Sequence, residues 1–117
     1  MGHLQSLKLN RQIYAFDQVK DHGNKEYKSA MEQVGMMIYN SGLISTLAFI
    51  KNKESRIYID IKTWFCKQEH IEFSLNESED LLIKALQIED PMILIEVTRE
   101  VLKLTDTFKE ILKGFEY

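Results

Sequence analysis

Three histidines (His3, His22 and His70) and one cysteine (Cys66) are the side chains best able to hold a metal or attack a substrate. A metal site needs such ligands to converge, and convergence usually shows in the sequence as short, regular spacing. Here they lie far apart, in different segments, and none pairs with a carboxylate at ligand spacing on one helix. The histidines therefore read as exposed polar residues. A nucleophilic Cys66 would need an activating base close by. Beside Trp64 and Phe65 it reads instead as a small core residue. No glycine-rich phosphate loop is present. The acidic run from Glu69 to Glu100 matches neither a calcium loop nor a nuclease carboxylate set. The expectation is a chain that binds rather than converts, with no catalytic residue, no cofactor and no metal site.

Charge is the next source of specificity. The net charge is −3, which argues against a free-standing nucleic-acid binder. Its distribution is uneven: residues 1–67 carry ten Lys/Arg against six Asp/Glu, and residues 68–117 carry five against twelve. One face could meet phosphates while another meets water or a basic neighbour, or the two blocks could fold together and cancel. The most basic local stretch is Lys51, Lys53 and Arg56, opposed only by Glu54. Lys25 and Lys28 form a second pair one helical turn apart. Either group could equally be an ordinary solvated face.

These residues must be positioned by something, and the hydrophobic periodicity points to helices. At 117 residues the chain is one domain, 1–117, long enough to bury roughly two thirds of its unfolded surface. Its composition is that of an ordinary globular protein, and the lone cysteine excludes an internal disulfide and fits a reducing compartment. No apolar run approaches the ~20 residues of a membrane span. No basic, apolar leader precedes the first amphipathic stretch, so the protein is expected in the cytoplasm with no membrane partner. Residues 1–8 are set apart as disordered or vector-derived. Within them, Met1-Gly2-His3-Leu4-Gln5-Ser6 fits a loose myristoylation pattern too short to carry weight.

The spacing predicts an all-α bundle of about six helices. The first runs from Asn10 to Asp21, with Leu9, Ile13, Phe16 and Val19 as its core stripe. The second runs from Lys25 to Tyr39 on Tyr27, Met31, Val34 and Ile38, and stops at Asn40-Ser41-Gly42. Gly42 suits a terminus where other residues would suffer a Cβ clash. A short third helix, Leu43 to Lys51, is apolar almost all round and belongs inside a bundle. It follows a turn in helix-turn-helix fashion, but carries almost nothing that reaches base edges, so a DNA reader is rejected. Ile57-Tyr58-Ile59-Asp60-Ile61 alternates like a strand. A helix explains more residues, because Ile57, Ile61, Trp64 and Phe65 then share a face. Asn76 with Glu79 reads as a capping box opening a fifth helix that reaches Gln87, which also accounts for the Asn76-Glu77-Ser78 glycosylation match. Asp90 caps the last helix and Pro91 takes its first position. There Leu94, Val97, Val101, Leu104, Phe108, Ile111 and Phe115 form a heptad seam. Glu96/Arg99, Glu100/Lys103, Asp106/Lys109 and Glu110/Lys113 lie outside it as solvated i,i+3 pairs.

Several of these segments carry a resemblance. Glu26-Tyr27-Lys28-Ser29-Ala30 through Asn40-Ser41-Gly42-Leu43-Ile44-Ser45-Thr46-Leu47-Ala48-Phe49-Ile50 resembles the small helical subunit of type III-B CRISPR effector complexes, the Cmr small subunit. In that family an Asn-Gly-Leu turn leads into a Leu-Ala-Phe-Leu helix. Val97-Thr98-Arg99-Glu100-Val101-Leu102-Lys103-Leu104 is similar to the family's final Thr-Arg-Glu helix. Arg11 with Ala15, and Trp64, fall in the family's order. The resemblance covers nearly the whole chain; the acidic balance departs from it.

The resemblance implies an all-helical subunit without catalysis. Copies of it would stack along the backbone of an RNA-guided antiviral complex and help hold the guide RNA–target RNA duplex. Its partners would be other effector subunits, copies of itself, and both RNAs. Base pairing reads the sequence in such an assembly, so the protein needs only to hold duplex shape and phosphates. Lys25, Lys28, Lys51, Lys53 and Arg56 are then the nucleic-acid-binding candidates. Three other readings stay open. One is the small subunit of the related type III-A complex. Another is a helical adaptor that offers its heptad seam to a partner. The third is an enzyme with an unrecognised site.

Overall fold

The computed structural model describes residues 6–117. Five helices follow one another: α1 (Leu7–His22), α2 (Lys25–Lys53), α3 (Ser55–Lys67), α4 (Leu81–Leu86) and α5 (Pro91–Lys113). Among the described residues there is no strand, and the all-α reading holds. His3 and the Met1-Gly2 pattern lie outside the described residues.

α5 is the organising element. Asp90 Oδ1 accepts the Met92 N–H at 2.9 Å and Pro91 takes the first turn, as the sequence predicts. Val97, Val101, Leu104 and Phe108 are fully buried, and Leu112 rather than Ile111 ends the buried stripe. α1 and α2 both pack on α5, while α3 and α4 pack on α2. The seam is therefore covered within the chain itself, which removes the adaptor reading that needed it free.

α1 corrects the sequence reading. Ser6 caps it, accepting the Leu9 N–H at 3.0 Å. Its inward face is Arg11, Tyr14, Ala15 and Val19, while Leu9, Ile13 and Phe16 stand 45–48% exposed. Apolar count alone favours the other stripe. Arg11 and Tyr14, however, have buried polar partners that only this rotation reaches, and the small, fully buried Ala15 lies on the same face.

α2 is one element by hydrogen bonding and two by shape. Asn24 caps its start, accepting the Tyr27 N–H at 2.8 Å. Gly42 sits at φ 85°, ψ 168°, the one positive φ among the described residues. A straight helix of these 29 residues would span about 43 Å. Asn24 and Glu26 at one end and Lys53 and Glu54 at the other nonetheless line a single hollow. Gly42 therefore folds α2 into a hairpin of two arms, which restores the predicted second and third helices. The element has the length and composition of a membrane span. It is broken in the middle, and Met31, Val34, Leu47 and Ile50 are fully buried in the core.

Ile57–Ile61 is helical, inside α3, and Ile57, Tyr58, Ile61, Trp64 and Phe65 are buried. The fifth helix is shorter than predicted. Asn76 and Glu79 do make the reciprocal bond expected of a capping box: Asn76 N–H donates to Glu79 Oε1 at 2.9 Å. They form a free-standing turn, however, and α4 begins at Leu81, with Asp80 accepting the Ile83 N–H at 3.1 Å. Asn76 and Asp80 each bond backbone N–H groups just ahead of them, those of Ser78 and Ile83, so two local caps replace one longer helix.

Candidate nucleic-acid interface

Two buried carboxylates fix the helices that carry the candidate residues. Glu100, on α5, accepts Arg11 Nε and Nη2, both at 2.8 Å, and Trp64 Nε1–H at 2.8 Å. His70 Nε2 lies 2.9 Å from its other oxygen. Burial pushes the Glu100 carboxyl up. The Arg11, His70 and Trp64 hydrogen bonds outweigh that and hold it below the usual carboxylate range. One carboxylate thus joins α1, α3, α5 and the segment after α3. The expected solvated Glu100/Lys103 pair is wrong: Glu100 turns inward because three donors await it there. Of the four predicted pairs on α5, Asp106/Lys109 forms, at 3.6 Å.

Asp60 is the second hub and is fully buried. Tyr27 Oη donates to its Oδ2, and His22 Nε2 lies 2.6 Å from the same oxygen. Arg56 Nη2 donates to Oδ1 at 3.1 Å, and Tyr14 Oη donates to the Asp60 carbonyl. Burial, and then the Asp60 charge, push the Tyr14 and Tyr27 phenols far above their ordinary range, so both remain donors. His22 and His70 are therefore not exposed polar residues. Each is largely covered and bound to a buried carboxylate. Sequence spacing could not show this, because the partners lie on other helices. Among the described residues no group of three His, Cys, Asp or Glu could hold a metal ion. Cys66 is partly exposed, its thiol raised by burial, with Sγ 3.8 Å from the Asn76 carbonyl.

The α2 hairpin brings its two termini together, and with them the segments that carry the five predicted nucleic-acid-binding residues. Lys53 and Arg56 line the hollow of about 260 Å³ that also holds Asn24 and Glu26, the neighbours of Lys25. They are not equally available. Lys51 Nζ bonds Asp80 at 3.0 Å and sits over the Tyr58 ring. Arg56 is tied to Asp60 but keeps half its side chain in solvent. Lys25 and Lys53 are exposed and Lys28 is half-buried. None of these three forms an ion pair among the described residues. Arg99 is exposed and makes no bond to Glu96.

Two residues were missed. Lys62, half-buried, and Lys67, exposed, lie on the two flanks of the solvent-facing side of α3, Lys67 on the same edge as Arg56. The signal was available, because once Ile57, Ile61, Trp64 and Phe65 define the inner face, helical spacing puts both lysines outside it, one on each flank.

The family model for the CRISPR-associated protein Cmr5 matches residues 7–115. The chain belongs to the Cmr5 family. The match spans all five helices, and this family membership makes the chain a CRISPR-associated subunit of the Cmr complex, working with other subunits. No curated protein matches the chain, and no solved structure does. The residues that carry the resemblance to the Cmr small subunit now have a physical role. Arg11, Trp64 and the Glu of Thr98-Arg99-Glu100 are the partners in the buried Glu100 network, and Ala15 is fully buried on the same inward face of α1 as Arg11. Asn40-Ser41-Gly42 is the corner of the α2 hairpin.

Proposed function

We propose that this Cmr5-family chain is a non-catalytic structural subunit of the type III-B effector. Copies stack along the complex and help hold the guide RNA–target RNA duplex during antiviral defence in the cytoplasm. The observation that carries the reading is the family match across residues 7–115. The gathering of Lys25, Lys28, Lys53 and Arg56 at one end of the hairpin supports it, because a duplex held by shape needs phosphate contacts and no base readout. A net charge of −3 suits a subunit that binds RNA only within an assembly, where many weak contacts add on one track. The buried hydrogen-bonded carboxylates Asp60 and Glu100 have the character of structural clamps: each is fully engaged with partners inside the fold.

The test is to recover the native protein from cells and sequence any RNA that comes with it. The expected result is a population of short guides together with the other Cmr subunits. Recovery of the subunits without RNA, or of neither, contradicts the proposal. Incubating the purified chain with RNA and divalent metal checks the non-catalytic part. Cleavage that persists through repurification and disappears on one carboxylate substitution contradicts it.

A further inference from the structure

His22, the last residue of α1, has a carboxylate at each ring nitrogen. Nε2 lies 2.6 Å from Asp60 Oδ2, and Nδ1 lies 3.3 Å from Asp21 Oδ2. A carboxylate only accepts, whereas a neutral imidazole has one donor and one acceptor. A neutral ring therefore serves one of the two carboxylates and turns a lone pair on the other. Only the imidazolium donates to both. Its surroundings favour that cation further. The carbonyl end of α1 carries partial negative charge. Around the ring stand the carboxylates of Asp21, Glu26, Glu54 and Asp60 against the cations of Lys53 and Arg56, with the Tyr27 phenol edge-on at 5.4 Å. His70 is placed differently: its Nε2 faces Glu100, a carboxylate that Arg11 already meets with two N–H groups.

Asp60 lacks such a two-pronged partner. Its Oδ2 takes Tyr27 and His22, and its Oδ1 takes a single N–H of Arg56 at 3.1 Å. Asp60 is fully buried, yet Arg56 keeps half its side chain in solvent. His22 and Arg56 thus share one buried carboxylate from two sides. We infer that His22 is a proton-operated clasp, whose proton sets how far Arg56 reaches out from Asp60. With the proton on, the carboxylate is met from the α1 side and Arg56 stays extended. With the proton off, Arg56 is the one cation still bonded to a buried charge. Leaving such a charge poorly matched is costly, so the guanidinium draws inward. Both residues line the hollow of about 260 Å³ between the ends of α2, which gives the proton access to solvent and the guanidinium room to move. The end of the molecule where the α2 termini meet α1 and α3 is thereby made responsive to pH, because imidazole is the side chain that changes charge near neutrality.

The inference is independent of any RNA and is tested on the full chain alone. The nitrogen resonances of the His22 ring and the Arg56 Nε–H resonance are followed by NMR from about pH 5 to about pH 9, a span that brackets imidazole titration. At the acid end both His22 nitrogens should carry protons. As the ring loses one, the Arg56 resonance should move with the same midpoint. His22→Gln keeps a donor for Asp60 and cannot titrate, so its Arg56 resonance should stay flat, near the alkaline position of the wild type. Asp21→Asn removes one acceptor and should move the joint transition to lower pH. His70→Gln should leave it in place. The wild-type titration decides the matter even where a variant fails to fold. A ring that never holds both protons, or holds both throughout, overturns the inference. So does a His22 titration that Arg56 does not follow, or an Arg56 transition that persists in a folded His22→Gln chain.

Discussion

At the residue scale, Glu100 shows how a charge that reads as surface becomes the anchor of the fold. It satisfies Arg11, Trp64 and His70 at once, and each of those would be left with an unmatched buried donor without it. Replacing Glu100 by Ala should therefore cost about 3–5 kcal/mol of stability, the range for breaking a buried ion pair from one side. The pH dependence follows from its lowered carboxyl. A group depressed in the folded state contributes its stabilisation above its unfolded value, about 4.3 for Glu, and loses it as pH falls through the folded value. Urea midpoints should be steady near neutrality and fall below about pH 4. Glu100→Gln should start lower at neutral pH and decline less steeply in acid. A variant whose midpoint tracks wild type at every pH would show that the network does not carry the fold. Little of this was legible in advance. Arg11, Trp64 and Glu100 were each noted, but only as separate marks of a resemblance, and helical spacing suggested a partner for Glu100 at Lys103. Local charge pairing along a helix is weak, and three converging donors from other helices overrule it.

At the element scale, the α2 hairpin depends on Gly42. A Cβ there would meet nothing within 4 Å, so any effect of Gly42→Ala comes from the backbone alone. At φ 85° and ψ 168° the conformation is open essentially to glycine. The substitution should cost about 1–3 kcal/mol, read from the urea midpoint, with helical content unchanged. A neutral substitution would mean that the corner relaxes freely and that the two arms are held together by core packing alone. The corner, the helix caps at Asp90 and the helical state of Ile57–Ile61 were all legible, because each is written in local chemistry or in one helix's own period. The face of α1 was not. Leu9, Ile13 and Phe16 are the stronger apolar stripe, yet they remain largely exposed, and Arg11, Tyr14 and Ala15 face inward. Burial there is decided by what lies opposite on other helices, which no single-helix period contains. The same reason explains the partial success on the candidate site. Lys25, Lys28, Lys53 and Arg56 were read from charge clustering, and their meeting at one end required the fold. Lys62 and Lys67 were overlooked because each is isolated in sequence, and only the orientation of α3 turns them outward.

At the scale of the whole molecule, a bundle stitched through two buried carboxylates should be a rigid part for repeated use, with its basic residues on the α2 termini and α3 and its acidic excess in the C-terminal half. Such a chain should be a poor RNA binder alone. Fluorescence anisotropy of the isolated protein with duplex RNA should give weak binding and a shallow salt dependence, since few cations release counterions together. Tight binding at physiological salt would instead indicate an autonomous RNA-binding module. In the assembly the same few contacts recur at each copy and add. The most direct measurement is the affinity of a guide-complementary RNA for the Cmr complex assembled with and without this chain, at matched guide content. Capture should weaken when the chain is left out while the guide stays bound. Equal affinity in the two assemblies would contradict a role in holding the duplex.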